Sequence, residues 1–133
     1  MNIFDPNTWE PVVHEFRIYG DDRAGVWAVI DEEDYQWAIK YRWCVKTCRY
    51  MKPYLRRAVG VSANGIRLKT YSLYLHIEIM KRTGIQPTTP QHRLVDHRNG
   101  NSFDCQRSNL RWATPRMNSL NQYGNHPHDL IEG

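Results

Sequence analysis

Between Val95 and Gln122 the chain reads "VDHRNGNSFDCQRSNLRWATPRMNSLNQ", with a single Asp-His pair, Asp96-His97, set among many Asn and Arg residues. An imidazole has an unperturbed pKa near 6.5, so at neutral pH a large fraction can accept a proton from water. A carboxylate directly beside such a group is a combination suited to proton-transfer chemistry on a polar substrate. Apolar residues punctuate the stretch at Val95, Leu110, Trp112, Met117 and Leu120, with Leu94 just before it. A solvated loop has no use for such clamps, so the polar residues are expected to be held in fixed positions.

The elements that would hold them are legible nearby. "RLVDHR" reads as a short strand, "NGN" as a glycine-permitted turn and "SNLRWAT" as a second strand. Thr114-Pro115 has the form of an N-cap with proline at the first helical position, opening the helix "PRMNSLNQ". On that helix Met117 and Leu120 are expected to face the core, and Asn118 and Asn121 to share a neighbouring face. Asp96, His97, Asn109 and Asn118 would then converge on one small pocket. Neighbours on a regular strand point to opposite faces, so Asp96 and His97 can share it only if the strand ends or twists at "RNGN".

Charge is strongly segregated upstream. Residues 1–34 carry nine acids and two bases; residues 35–77 carry nine bases and no acid; residues 78–133 carry seven bases and five acids, giving the net +4. The bases of the middle stretch, Lys40, Arg42, Lys46, Arg49, Lys52, Arg56, Arg57, Arg67 and Lys69, alternate with Tyr41, Trp43, Tyr50, Tyr54, Tyr71 and Tyr74. Cations release counterions from a polyphosphate, and aromatic rings pack beneath them or stack on exposed bases. The segments "RWCVKT", "YLRRAVGV" and "IRLKTYSL" are β-rich, with "SANG" as the turn between the last two. "EFRIY" and "VWAVI" around "GDDRAG" read as a hairpin, and Asp31 is placed to cap a helix over "EEDYQWAIKY". "SLYLHIEIMKRTG", from Ser72, is expected to be a helix stopped by Gly84, although Leu73, Leu75, Ile77 and Ile79 also alternate as a strand would.

The 133 residues fit one domain. Its expected parts are an acidic hairpin and helix start (1–34), a basic β-rich region with a helix (35–92), the strand-strand-helix segment (93–122) and a tail (123–133). No apolar run is long enough to span a bilayer, and the start lacks the pattern of a signal peptide, so a soluble, cytoplasmic protein without membrane contact is expected. Three cysteines give no disulfide framework. Cys44 and Cys48 form C-x3-C and could combine with Cys105 and His76 or His92 at zinc, but there is no second close pair, and free thiols are expected.

These residues together resemble the HNH endonucleases, the ββα-metal nucleases, and most closely the homing-type branch of phages and mobile elements. The resemblance rests on Asp96-His97-Arg98-Asn99-Gly100-Asn101, on Asp104-Cys105-Gln106-Arg107-Ser108-Asn109-Leu110-Arg111, and on Asn118-Ser119-Leu120-Asn121. Weaker likeness extends upstream to about residue 26. It implies an α+β fold, an N-terminal antiparallel β-sheet with short helices followed by a ββα-metal unit, and hydrolysis of phosphodiester bonds in double-stranded DNA. By the family pattern His97 is the general base, Asp96 and Asn118 bind one divalent metal per active site, and Asn109 braces the loop carrying His97. Asn121 stays open as an alternative ligand or a DNA contact. One carboxylate and one amide oxygen are hard donors that suit Mg²⁺ or Mn²⁺ better than Zn²⁺ or Ni²⁺.

The DNA-binding residues expected on this reading are Arg42, Lys46, Arg49, Lys52, Arg56, Arg57, Arg67 and Lys69 of the basic region, with Arg98, Arg111 and Arg116 around the pocket. A monomer with one such site nicks; a homodimer would cut both strands. Phage origin would place the protein in the cytoplasm of a bacterial host. The rival readings are a non-catalytic DNA-binding protein that keeps the ββα unit as a scaffold, and a structural protein of a virus particle that binds through its acidic N-terminal segment. Recognition sequence, and a role in homing, restriction or packaging, are not written in the motif.

Overall fold

The computed structural model of the chain describes residues 13–17, 27–48 and 51–122. Period-two alternation sets the first pairing: in β2 (Trp27–Asp31) Ala28 and Ile30 are fully buried while Trp27 is exposed, and β2 runs antiparallel to β1 (Val13–Arg17). The expected turn "GDDRAG" and the tail 123–133 lie outside the described residues, as do Arg49 and Tyr50. After β2 come α1 (Glu32–Ala38), β3 (Cys44–Cys48), β4 (Met51–Ala63), β5 (Ile66–Tyr74), α2 (Leu75–Thr83) and β6 (Leu94–His97). A 3-10 turn (Arg107–Asn109), β7 (Leu110–Ala113) and α3 (Pro115–Gln122) complete the chain. The fold is α+β, with three small antiparallel sheets ordered β1-β2, β3-β4-β5 and β6-β7.

The acidic residues of α1 do something other than cap it. Asp31 stands at the N-cap position with extended backbone, but its side chain makes no cap bond. Its carboxylate instead accepts the Arg107 backbone N–H at 2.8 Å, which corrects the capping expectation. Asp34 is fully buried and held by Arg82 at 2.9 Å and by two nitrogens of Arg107 at 2.9 and 3.0 Å. The first turn of α1 therefore clamps both α2 and the 3-10 turn.

The expected helix from Ser72 is also corrected. Ser72, Leu73 and Tyr74 pair with Ala58, Arg57 and Arg56 of β4, so the strand continues to Tyr74 and the helix begins at Leu75. Ladder pairing outranks the local helix preference there. Gly84 closes α2 in the left-handed region, φ 75°, and its N–H donates to Lys81 O.

Trp43, Leu55, Leu75, Ile79 and Ile30 form the fully buried centre, and Trp43 Nε1 donates to Ala38 O at 2.9 Å. Each aliphatic side chain buried there contributes about 2 kcal/mol. The β4-β5 hairpin outruns this core: residues 61–70 are exposed on both faces. Its turn is Asn64-Gly65, both at positive φ (53° and 77°), the two-residue loop that matches strand twist. Among the described residues, no helix is long and apolar enough to cross a membrane.

Candidate active site

The strand carrying the Asp-His pair ends where the pair does. β6 pairs with β7 in the register Asp96↔Arg111 and His97↔Leu110, and the chain then turns at Gly100, φ 76°, whose N–H donates to His97 O at 2.9 Å. Because the strand stops at His97, adjacent side chains reach one cavity: Asp96 and His97 both line it, with Lys52 and Tyr54 of β4, Gly100, Ser102, and Asn118 and Asn121 of α3. The cavity is about 10 Å³, room for a single water-sized species.

The Asn-rich loop fastens itself. Asn109 Oδ1 accepts the Asn99 N–H at 3.0 Å, and its Nδ2 donates to Asn99 Oδ1 and to Asp104 O. Asn99 in turn donates to Asp104 Oδ2, and Asn101 Oδ1 accepts the Phe103 N–H. The loop is then zipped to β2 by Val29 N–H to Phe103 O at 2.9 Å and Cys105 N–H to Val29 O at 2.8 Å. Asn109 thus holds the segment that follows His97, and the N-terminal hairpin supports it from outside.

Helix α3 supplies two amides with different surroundings. Thr114 Oγ1 accepts the Met117 N–H at 3.1 Å and fixes the helix start. Asn121 is 1 % exposed; its Nδ2 donates to both oxygens of Asp96, at 3.2 and 3.1 Å, and to His97 O. Its Oδ1 is buried without a hydrogen-bond partner among the described residues. Asn118 is half-buried and lines the same cavity. Met117 and Leu120 are also only half-buried, so the expectation that they form the inner face is corrected: Asn121 takes that place because what lies inside is a carboxylate.

Burial sets the electrostatics. His97 is 4 % exposed, with Tyr54 stacked at 6.1 Å, His76 at 4.8 Å and Cys105 Sγ 3.8 Å from Nε2. That desolvation lowers its pKa to about 4; Asp104 opposes the shift and Lys52 adds to it. His76, buried in the same stack, is lowered to about 3 by desolvation and by His97. Burial also raises the Asp96 pKa, against the stabilising bonds from Arg111 and Asn121. The Cys105 thiol is fully buried and pushed upward. Cys44 is partly buried on β3, and no group of three His, Cys, Asp or Glu side chains suited to a metal occurs among the described residues.

The cations scatter more than the charge count suggests. Lys52 Nζ lies at the cavity and donates to Gly100 O at 2.7 Å. Arg111 is committed to Asp96, at 3.0 and 3.1 Å. Arg57 lies over Tyr41, 3.9 Å from the ring centroid, and Arg56 donates to Ser72 Oγ. Arg42, Lys46, Arg67, Lys69, Arg98 and Arg116 are exposed. Nothing in the sequence singles out Asp34 with Arg107, since an acid in a helix's first turn is an ordinary feature, whereas His76, considered there as a zinc ligand, lies with its ring 4.8 Å from that of His97.

Three residues that carry oxygen donors line the cavity, Asp96, Asn118 and Asn121, and Asn121 Oδ1 is buried without a hydrogen-bond partner among the described residues. An orphaned buried oxygen beside a carboxylate is a fit for a small hard cation. Comparison with known proteins found no matching family model, no matching curated protein and no matching solved structure.

Proposed function

We propose that the chain is an HNH-type, metal-dependent endonuclease that hydrolyses phosphodiester bonds in double-stranded DNA. The observation that carries this reading is the convergence of Asp96, His97, Asn118, Asn121 and Lys52 on one water-sized polar cavity, fed by three separate elements, β4, β6 and α3. His97 is neutral at pH 7 and can accept the proton of the attacking water, while Asn109 keeps its loop in place. Asp96 and Asn118 would hold one Mg²⁺ or Mn²⁺, with Asn121 orienting Asp96 and offering its free oxygen as a further ligand. Such an ion would neutralise charge developing on the phosphate and the leaving oxygen. Lys52 adds a fixed positive charge at the cavity, and the exposed Lys46, Arg67, Arg98 and Arg116 are available to the flanking backbone. A monomer would nick, and a homodimer would cut both strands.

One observation favours a second reading. Asp96 is already satisfied by Arg111 and Asn121, as a purely structural carboxylate would be, which suits a DNA-binding protein that keeps this unit as a scaffold. Conversion of supercoiled plasmid by the purified chain with Mg²⁺, beside EDTA and His97→Ala controls, separates the two. Relaxed circles that vanish in both controls support the nuclease. Salt-sensitive binding without conversion in Mg²⁺ or Mn²⁺ supports the scaffold.

A further inference from the structure

Register assigns the cations of the β3-β4-β5 sheet to one face or the other. Side chains alternate along a strand, and directly paired residues share a face. Lys52, Tyr54, Arg56, Ala58 and Gly60 therefore project from one face of β4. Lys46 joins them by pairing with Tyr54, and Ser72 and Thr70 by pairing with Ala58 and Gly60. Beyond the bulge at Val61/Ser62, Arg67 returns to this face, its guanidinium 3.3 to 3.5 Å from where a Cβ on Gly60 would stand. Gly60 thus lets Arg67 lie flat across the hairpin.

The two faces differ at their inner ends. On the reverse face Leu55 is sealed in the core and Arg57 is stacked over Tyr41, so nothing continuous leads from it to the cavity. Lys69 belongs to that reverse face, because it pairs with Val61, which shares the parity of Leu55 and Arg57. The first face runs directly into the cavity, since Lys52 and Tyr54 line it. Outward from there it carries the small residues Ala58, Gly60, Ser62, Thr70 and Ser72, which keep it shallow enough for close approach of another backbone.

We infer that the face bearing Lys46, Lys52, Arg56 and Arg67 is the DNA contact face, a single track running from the active site along the outer hairpin, and that Lys69 and Arg57 lie off it. The inference rests on the nuclease reading above and sorts the cations which that reading leaves undivided. A two-stranded ribbon is narrow enough to enter the major groove. From Tyr54 to Ser62 the track spans about 26 Å at ~3.3 Å per residue. That is about eight base-pair steps at ~3.4 Å each, so the DNA held by the hairpin lies to one side of the scissile phosphate.

Equilibrium binding of a mixed-sequence DNA duplex to the full chain, measured by fluorescence anisotropy over a range of KCl concentrations, tests this face by face. Arg67→Ala and Lys46→Ala are each expected to weaken binding about fivefold and to lower the salt slope by about one. Lys69→Ala removes the same charge from the same exposed hairpin and is expected to leave affinity within about twofold, with the slope unchanged. Equal losses for Lys69→Ala and Arg67→Ala, or no loss for Arg67→Ala, overturn the face assignment alone, because the chain still binds DNA. Absence of any salt-dependent affinity in the unsubstituted chain overturns both the assignment and the nuclease reading.

Discussion

Asn121 spends its amide nitrogen on Asp96, at 3.1 and 3.2 Å from the two carboxylate oxygens, and its own oxygen is left buried and unpartnered. Twenty-five residues separate the pair in sequence, and the contact fixes α3 against the end of β6.

That contact separates the two asparagines of α3 by experiment. Asn121→Ala strips a donor from a buried carboxylate and is expected to cost about 2 kcal/mol of stability. Asn118→Ala, at a half-buried position, is expected to change stability by less than about 0.5 kcal/mol while abolishing Mg²⁺-dependent nicking. Urea denaturation and plasmid nicking of both variants provide the check; nicking at the native rate by Asn118→Ala would remove it from the ligand set.

Replacing His97 tests the base. His97→Ala is expected to lower the nicking rate by at least about a hundredfold, the range general-base catalysis contributes. Binding of the same DNA should be unchanged, since His97 is buried and neutral. A His97→Ala protein that nicks at an undiminished rate would rule out this role.

The clamp of Asp34 on Arg82 and Arg107 predicts control from a distance. Asp34→Asn removes the buried carboxylate that Arg82 and Arg107 share, leaving Arg107 only its exposed pair with Glu33, and is expected to cost about 3 kcal/mol. Arg107 opens the 3-10 turn that carries Asn109, so the variant should also nick more slowly at temperatures where it remains folded. Unfolding midpoints and nicking rates measured on one preparation would reveal whether the two losses travel together.

His76 and His97 predict acid lability. Both are held neutral in the fold, with pKa values of about 3 and about 4 against 6.5 for the free side chain. As pH falls below 6.5 the unfolded chain takes up protons that the folded chain refuses, so stability is complete above that value and is lost on acidification. The expected slope is about 1.4 kcal/mol per pH unit for each histidine. His76→Phe, which keeps an aromatic ring against Tyr54, should remove about half of the loss seen by urea denaturation between neutral pH and about pH 5. An unchanged slope would show that His76 is not the group responsible.

Local signals were readable wherever the chemistry is local. Asn64-Gly65 announces its turn because few residues tolerate positive φ, and Thr114-Pro115 announces a helix start because the hydroxyl and the missing N–H suit the first turn. The start of α2 lies beyond the position that local propensity favours, because Ser72 to Tyr74 obey a partner strand.

By itself, then, the sequence determined the α+β composition, the order strand, turn, strand, helix from β6 to α3, and the meeting of Asp96, His97 and Asn118, whereas Asn109, expected beside them, does not line the cavity. Those follow from periodicity, caps and turns, whose interactions span a few residues. Only the tertiary structure decided that Asn121 rather than Met117 or Leu120 turns inward, and that Arg111 is tied to Asp96. It also decided that Asp34 reaches 73 residues along the chain to Arg107, and that Lys46, Lys52 and Arg67 share a face from which Lys69 is excluded. Each depends on a partner supplied by a distant segment and on strand register, and a one-residue slip would reverse the faces.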